Sequence, residues 1–296
     1  MTQTALLPAL AHQAARWIRD ADALLVAAGA GMGVDSGLPD FRGREGFWRA
    51  YPALGRAGLA FEEIANPAAF ERDPMLAWGF YGHRLALYRR TAPHPGFGIL
   101  RALGDALPGG VFVFTSNVDG HFQKAGFDHQ GVVEIHGSIH HLQCLQDCRR
   151  AIWSADGFEP EVDREACRLL NAAPRCPHCG GIARPNILMF DDWHWLGSRT
   201  ADQLARFEAW RLDRGCRPLT IELGAGRHVI TVRQFAERSG GRMIRINPEA
   251  EAASGPDVLH LRCGALEGLT AIREALVGEA SSTLDGTAPL PHPPSR

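Results

Sequence analysis

Residues 22–43 join a short apolar run to a glycine-rich turn, and this stretch restricts the possible folds more than any other part of the chain. The run at residues 23–28 shows no polar alternation, as in a parallel strand that is covered on both faces. Gly29 and Gly31 follow, where backbone can approach a diphosphate closely and amides can bind anionic oxygens. A glycine turn alone is also compatible with an ordinary strand-to-helix turn. Because Pro39 then favours a loop over an immediate helix, we predict a nucleotide-binding turn.

The composition is that of an ordinary globular protein, since 45% of the 296 residues are hydrophobic and 22% are charged. A net charge of -2 provides no basic field, which argues against a dedicated nucleic-acid binder. No apolar stretch approaches the roughly 20 residues that a membrane span needs, and the N-terminus does not resemble a signal peptide. The 7 cysteines include two close pairs, a pattern that favours a metal over disulfides. We therefore expect a cytoplasmic protein in a reducing compartment, without a membrane partner.

Strand and helix patterns alternate along most of the chain. Besides the first strand, short apolar runs predict strands at residues 111–114, 131–135, 187–190, 219–223, 243–246 and 258–261. Helical spacing between them predicts an α/β fold with a doubly wound, Rossmann-like parallel sheet. Residues 1–139 and 185–278 would form this domain, with a helical insertion at residues 45–92. Residues 279–296 are rich in proline and serine, which predicts a disordered tail.

A cysteine-rich segment, residues 140–184, interrupts the sheet pattern. It contains two close pairs of cysteines, namely Cys144 with Cys148 and Cys176 with Cys179. Two such pairs are typical of a tetrahedral zinc ion held by four thiolates, although His178 is an alternative ligand. A site closed by four sulfurs leaves no position for a catalytic water, so we predict a structural zinc in a small inserted module.

Polar side chains follow two of the predicted strands at their carboxyl ends. Residues 115–119 read Thr-Ser-Asn-Val-Asp after an apolar strand, although a simple turn capped by Asn117 and Asp119 would show the same residues. His136 ends the next strand, and its ordinary pKa of about 6.5 suits a general base at neutral pH. A lone histidine is also compatible with a structural role. Since the carboxyl ends of parallel strands meet at one sheet edge, we expect these groups to share a crevice.

These motifs together resemble the sirtuin family of NAD-dependent protein deacylases over nearly the whole chain. The family's Gly-Ala-Gly turn, Ser-Gly-Leu-Pro segment and Phe-Arg-Gly loop correspond to residues 29–31, 36–39 and 41–43. Its Thr-Gln-Asn-Ile-Asp motif corresponds to residues 115–119, with Ser116 in place of glutamine. The resemblance implies NAD as cofactor and an acylated protein or peptide as substrate, bound in a cleft between the two domains. It implies nicotinamide, free lysine and O-acyl-ADP-ribose as products.

The resemblance also implies roles for individual residues. His136 would act as catalytic base on a hydroxyl of the nicotinamide ribose, and Asn117 and Asp119 would hold that ribose and the carboxamide. The implied cofactor-binding residues are Gly29, Ala30, Gly31, Asp40, Phe41, Arg42, Ser116, Asn117, Asp119, Gly224, Ala225, Gly226, Asn247, Glu249 and Cys263. Ala225 and Gly226 replace a threonine and a serine of the family, so backbone amides would have to replace two hydroxyl contacts.

Two further segments imply substrate contacts. Residues 184–192 resemble the family segment that pairs with the substrate peptide as an added strand, where Phe190 and Asp191 would contact the peptide. Tyr81 and Arg84 lie three residues apart in a predicted helix and share one face. The same spacing is compatible with a buried aromatic residue beside a surface residue that forms a salt bridge. The pair resembles the Tyr-x-x-Arg of the branch that removes succinyl, malonyl and glutaryl groups. That resemblance implies that the guanidinium binds an acyl carboxylate.

The motifs leave three functions open. The first is NAD-dependent removal of acyl groups, either acetyl or an acidic acyl such as succinyl, from protein lysines. An ADP-ribosyltransferase or NAD hydrolase would cleave the same bond of NAD without an acyl-lysine. A non-catalytic NAD-sensing interaction protein is suggested by Ser116, Ala225 and Gly226, whereas the presence of His136 with Asn117 argues against it.

Overall fold

The structure, a computed structural model, describes residues 3–39, 43–214, 218–226, 229–249 and 255–284. Its helices are α1 (Gln3–Arg19), α2 (Gly43–Ala50), α3 (Pro52–Arg56), α4 (Phe61–Ile64), α5 (Pro67–Arg72), α6 (Pro74–Arg90), α7 (Pro95–Asp105), α8 (His121–Lys124), α9 (Ser198–Arg214), α10 (Thr231–Ser239) and α11 (Ala265–Leu284). Its strands are β1 (Leu24–Ala28), β2 (Val111–Thr115), β3 (Val132–Glu134), β4 (Gly137–Cys144), β5 (Ile152–Ser154), β6 (Val162–Asp163), β7 (Arg168–Leu169), β8 (Ala183–Ile187), β9 (Leu219–Leu223), β10 (Met243–Ile246) and β11 (Val258–Leu261).

The main sheet has six parallel strands in the order β11-β10-β9-β1-β2-β3. Strands β1, β2 and β3 step towards one edge, and the chain later returns to add β9, β10 and β11 on the other side of β1. Every residue of β1 is buried, as its unbroken apolar run predicts for a central parallel strand. The reversal beside β1 creates a crevice at the carboxyl ends of β1 and β9. This topology confirms the predicted doubly wound α/β fold.

Helices cover both faces of this sheet. On one face, a buried cluster joins Ala14 of α1, Leu100 of α7 and Leu269 of α11 to the strands. On the other face, the rings of Phe114 and Phe235 stack with centroids 3.6 Å apart and so attach α10 to β2. None of the helices in the described ranges combines the length and the apolar character that a membrane span requires.

A second, antiparallel sheet has the order β5-β4-β8. Strands β6 and β7, which come between β5 and β8 in the chain, form a separate antiparallel pair. The prediction that residues 187–190 form a strand of the main sheet is wrong, because β8 ends at Ile187 and pairs with β4. The local apolar run indicates an extended conformation but carries no information about which strand it will pair with. Strands β4 and β8 flank the cysteine-rich segment, and their pairing brings its two ends together.

Helices α2 to α6 follow one another between Gly43 and Arg90 without an intervening strand. Helix α6 contacts the small sheet, since the indole of Trp78 donates a hydrogen bond of 2.9 Å to the carbonyl of Ala183. At the other end of the chain, α11 continues to Leu284, past the predicted start of the disordered tail at residue 279. Residues 279–284 contain no proline or glycine that would end the helix, and residues 285–296 lie outside the described part of the chain.

Two helical glycines provide a matched test of the packing between α6 and the small module. A Cβ on Gly79 of α6 would lie 2.0 Å from the carbonyl oxygen of Cys167, whereas a Cβ on Gly98 of α7 would meet nothing within 4 Å. We expect Gly79→Ala to lower the free energy of unfolding by about 2 kcal/mol or more through overpacking. Gly98→Ala should raise it by roughly 0.5–1 kcal/mol, because alanine favours a helix. Urea denaturation measures both, and a shift in the same direction for the two variants would contradict the packing.

Candidate functional site

The turns after β1 and β9 contact each other through their backbones at the carboxyl edge of the main sheet. The amide of Gly29 donates to the carbonyl of Leu223 (2.9 Å), and the amide of Gly31 donates to the carbonyl of Gly224 (3.1 Å). A Cβ on Gly31 would lie 2.6 Å from the Cα of Gly224. Gly224 also has a φ of 56°, in the left-handed region that favours glycine. These positions need glycine because two turns touch.

This contact corrects one expectation about the turn. The amides of Gly29 and Gly31 are engaged within the protein, so they are not free to bind anionic oxygens. Within the described ranges, the amides of Ala30, Ala225 and Gly226 donate no hydrogen bond. Buried backbone amides normally have an acceptor, and Ala225 is only 1% exposed. The buried, unmatched amide of Ala225, together with the exposed amides of Ala30 and Gly226, therefore fits an anionic group such as a diphosphate.

Asn117 is attached to the first of these turns. Its side-chain amide donates to the carbonyl of Gly29 (2.9 Å), and its backbone amide donates to the hydroxyl of Thr115 (3.0 Å). That hydroxyl donates in turn to the carbonyl of Ala28 (2.8 Å). The amide of the half-buried Ser116 also donates to the carbonyl of Ala28 (3.2 Å). The polar block after β2 is thus fixed against the end of β1.

Asp119 is a buried carboxyl group at the start of α8. Burial raises its pKa, and the nearby His121 opposes this increase. One carboxylate oxygen accepts the amide of His121 two residues later (2.9 Å), as in an Asx-turn. The ring of His140, which the sequence did not connect with this block, lies 2.8 Å from the Asp119 carbonyl. Asp119, the last residue of the polar motif, therefore connects α8 to β4.

His136 lies in the short connection between β3 and β4, and its backbone is held on the carboxyl side. Its carbonyl accepts the amide of Leu188 (2.9 Å). The next residue, Gly137, has a φ of 78°, and a Cβ there would lie 2.1 Å from the carbonyl oxygen of Asn186. Burial lowers the pKa of the His136 imidazole, so the ring is neutral at pH 7 and able to accept a proton. Its Nε2 lies 3.4 Å from the hydroxyl of Thr231.

The turn after β10 contacts the turn after β9 in a similar way. The side chain of Asn247 donates to the carbonyl of Ala225 (3.0 Å), and its oxygen accepts the amide of Glu249 (3.0 Å). Glu249 is exposed, whereas Cys263 is buried and burial raises the pKa of its thiol to about 12. Cys263 is therefore a packed, unreactive thiol beside this part of the crevice. Of the predicted cofactor residues, Asp40, Phe41 and Arg42 lie outside the described ranges.

Arg84 lies among all 3 tyrosines of the chain. Its Nε donates to the hydroxyl of Tyr88 (3.0 Å), and its guanidinium carbon lies 5.7 Å from the ring centroid of Tyr81. The charge of Arg84 also lowers the pKa of Tyr51, against a larger increase caused by burial. Arg84 is only 8% exposed, so it is not the surface salt-bridge residue that the spacing also allowed. The structure places it beside Tyr81, inside an aromatic enclosure.

The segment after β8 is organised by a buried ion pair that the sequence analysis did not single out. The guanidinium of Arg184 contacts both carboxylate oxygens of Asp192, at 2.7 and 2.8 Å, and both side chains are fully buried. Asp192 also accepts the amides of Met189 (3.3 Å) and His194 (3.2 Å). Spacing along the chain gives no signal for this pair, because only the fold of residues 187–194 brings the two groups together.

This arrangement changes how the segment can meet a peptide. The amides of Leu188, Met189 and Phe190 donate to His136, Asp192 and Ala65 respectively, so none of the three is free to pair with an added strand. Asp191 has a φ of 52°, a conformation that suits the glycine of the resembling family and that aspartate tolerates. Phe190 is 38% exposed. A peptide here would contact side chains and carbonyls more than these amides.

The four cysteines of the two pairs converge into one cluster. Their Sγ atoms all lie within 4.8 Å of one another, with Cys144 3.7 Å from Cys179 and Cys148 3.5 Å from Cys176. Tetrahedral zinc with Zn–S bonds of about 2.3 Å places its sulfurs roughly 3.8 Å apart, so the cluster fits that ion. His178 is exposed and is not a member of the cluster.

We expect the purified protein to contain about one zinc ion per chain and to depend on it for folding of the small module. Cys176→Ser should lose the metal and unfold or aggregate, because the ion links both ends of the cysteine-rich segment. His178→Ala, the matched control between the same two cysteines, should keep its zinc. Metal analysis together with circular dichroism tests both variants. An active protein without zinc would contradict the assignment.

Comparison with known proteins agrees with this geometry. The Sir2 family model matches residues 29–205. The NAD-dependent protein deacylase of Aquifex aeolicus is 29% identical over 256 residues, which cover 86% of this chain and 95% of that protein. The deacylase of Aeropyrum pernix is 30% identical over 259 residues, covering 86% and 93%. The crystal structure of a Sir2 homologue in complex with NAD aligns with a TM-score of 0.67 and 25% identity over 90% of this chain and 94% of that one. The chain therefore belongs to the Sir2 family.

Proposed function

We propose that this protein is an NAD-dependent protein-lysine deacylase that acts on acylated proteins. The main support is that the half-buried His136, Asn117 and the two contacting turns all follow the carboxyl ends of strands of one parallel sheet. The similar proteins of Aquifex aeolicus and Aeropyrum pernix are named for the same activity. The cysteine cluster would hold a structural zinc that takes no part in the reaction, because four sulfurs close its coordination.

When bound, NAD supplies an electrophilic ribose carbon with nicotinamide as its leaving group. The amides of Ala225 and Gly226 would bind the anionic diphosphate, and Asn247, fixed to the carbonyl of Ala225, would hold that turn in place. Asn117 would face the nicotinamide side from its anchor on Gly29. These residues bind and orient the cofactor, and their backbone contacts fix the geometry before it arrives.

His136 would act as the general base that removes a proton from a ribose hydroxyl. A base must be unprotonated at the working pH, and burial gives the imidazole that state by lowering its pKa. Its position does not depend on the side chain alone, since the bond from Leu188 and the close packing of Gly137 against Asn186 hold the backbone on its carboxyl side. The ring is therefore carried by the short, fixed connection between β3 of the main sheet and β4 of the small sheet.

The preferred acyl group is proposed from the enclosure around Arg84. A guanidinium binds a carboxylate through two charge-assisted hydrogen bonds, and a largely buried one does so with little competition from water. Arg84 is 8% exposed and is packed beside Tyr81 and Tyr88. We propose that it recognises the carboxylate of an acidic acyl-lysine such as succinyl-lysine, in preference to acetyl-lysine.

His136→Ala should abolish nicotinamide release that depends on an acyl-peptide, and should leave NAD binding and the fold largely intact. In the native enzyme, activity should fall only at a pH below the ordinary histidine value of about 6.5, because burial lowers the pKa and the base works unprotonated. Mass spectrometry of O-acyl-ADP-ribose across pH measures this. His129→Ala, at an exposed histidine, is the control. Full activity of His136→Ala would exclude the role of base.

Arg84→Met should reduce desuccinylation about tenfold or more while changing deacetylation much less, because only the acidic acyl group loses a charged partner. Arg90→Met removes an exposed arginine of the same helix and should leave both activities unchanged. The measurement is kcat/KM for succinyl- and acetyl-lysine versions of one peptide. An equal loss of both activities, or a wild-type enzyme that prefers acetyl-lysine, would refute this preference and leave deacylation itself standing.

A further inference from the structure

A histidine that acts as a base is normally held by a second group, which fixes its ring and decides which nitrogen carries the proton. Among the described residues, no carboxylate acts on His136 in this way. Burial alone lowers its pKa, without a contribution from a charged neighbour in the described ranges. The acid that precedes it, Glu134, is itself buried and is paired with Arg199. The side chain that contacts the ring in the described part of the chain is uncharged.

Thr231 supplies such a group. Its Oγ1 lies 3.4 Å from Nε2 of His136. Within the described part of the chain, the imidazole ring makes no other hydrogen bond. The distance is long, but hydrogen bonds to catalytic groups commonly shorten when the substrate complex forms. Nδ1 of the same ring has no hydrogen-bond partner among the described residues. The two nitrogens therefore have different surroundings.

The threonine is carried by a rigid element. It is the first residue of α10, and the following turn of this helix buries Val232 (1% exposed) and Ala236 (3% exposed) against the main sheet. Phe235 stacks on Phe114 of β2 with an angle of 6° between the rings. Because α10 is anchored to the strand that precedes the polar block, the hydroxyl keeps a fixed position relative to His136.

We propose that Thr231 is a positioning residue for His136: its hydroxyl oxygen accepts a hydrogen bond from Nε2–H and leaves the lone pair of Nδ1 to receive the substrate proton. This inference rests on the proposed deacylase function. When the proton arrives on Nδ1, both nitrogens carry hydrogen, and the bond from Nε2–H to Thr231 becomes charge-assisted and stronger. The hydroxyl thus stabilises the imidazolium that the reaction forms, as a carboxylate does in a catalytic triad.

Thr231→Val tests this directly, because valine keeps the branched shape and removes the hydroxyl. We expect kcat to fall about tenfold with little change in the KM for NAD, since an interaction made to the charged form is lost. The acidic limb of the pH profile should move to lower pH, because the imidazolium loses a stabilising partner. Thr231→Ser should restore both values. Thr220→Val, at a buried hydroxyl without a partner in the described residues, is the control.

Nitrogen-15 NMR of the histidine rings gives a readout that does not depend on activity. In the wild-type protein His136 should be the Nε2–H tautomer, and Thr231→Val should lower its pKa and mix its tautomers. An Nδ1–H tautomer in the wild type, an unchanged or increased kcat in Thr231→Val, or a shift of the acidic limb to higher pH would overturn the proposal. A wild-type protein without any deacylase activity would instead refute the proposed function, and the NMR result would still decide the contact.

Discussion

The site depends on the close contact between the turns after β1 and β9. Gly31 and Gly224 touch backbone to backbone, and a single Cβ at either position would push the turns apart. Because these turns end neighbouring parallel strands, their contact sets where the free amides of Ala30 and Ala225 lie relative to each other. Asn117 and Asn247 then attach the ends of two further strands to the same pair of turns. The crevice is thus built mainly from backbone.

The small antiparallel sheet completes the site from the other side. Strand β4 begins directly after His136 and ends at Cys144, so one strand joins the histidine to the cysteine cluster. Its partner β8 leads into Leu188, whose amide holds the carbonyl of His136. The buried pair of Arg184 and Asp192 fixes the segment that follows. Such a pair contributes more to the position of that segment than to net stability, since burying two charges costs about as much as their attraction returns.

Much of this arrangement could be predicted from the sequence because it depends on local patterns. The unbroken apolar run of β1 predicted a central parallel strand, and the spacing of Cys144 and Cys148 from the second pair predicted the cluster. The pairing of residues 187–190 was predicted wrongly, because an apolar run shows that a segment is extended and not which strand it will join. The amides of Gly29 and Gly31 were expected to be free, but the sequence cannot show that Leu223 and Gly224 accept them.

The sequence by itself determined the alternation of strands and helices in the main sheet, the residues that could carry chemistry and the family to which the chain belongs, since these follow from patterns along the chain. Only the tertiary structure decided which side chains face each other. Thr231 lies 95 residues after His136, and Asp192 faces Arg184 only after the chain turns at Asp191. The surroundings of Arg84 were decided in the same way, because Tyr51 lies between α2 and α3 whereas Arg84 lies in α6. Contacts between distant residues arise when elements pack, and local propensity contains no information about them.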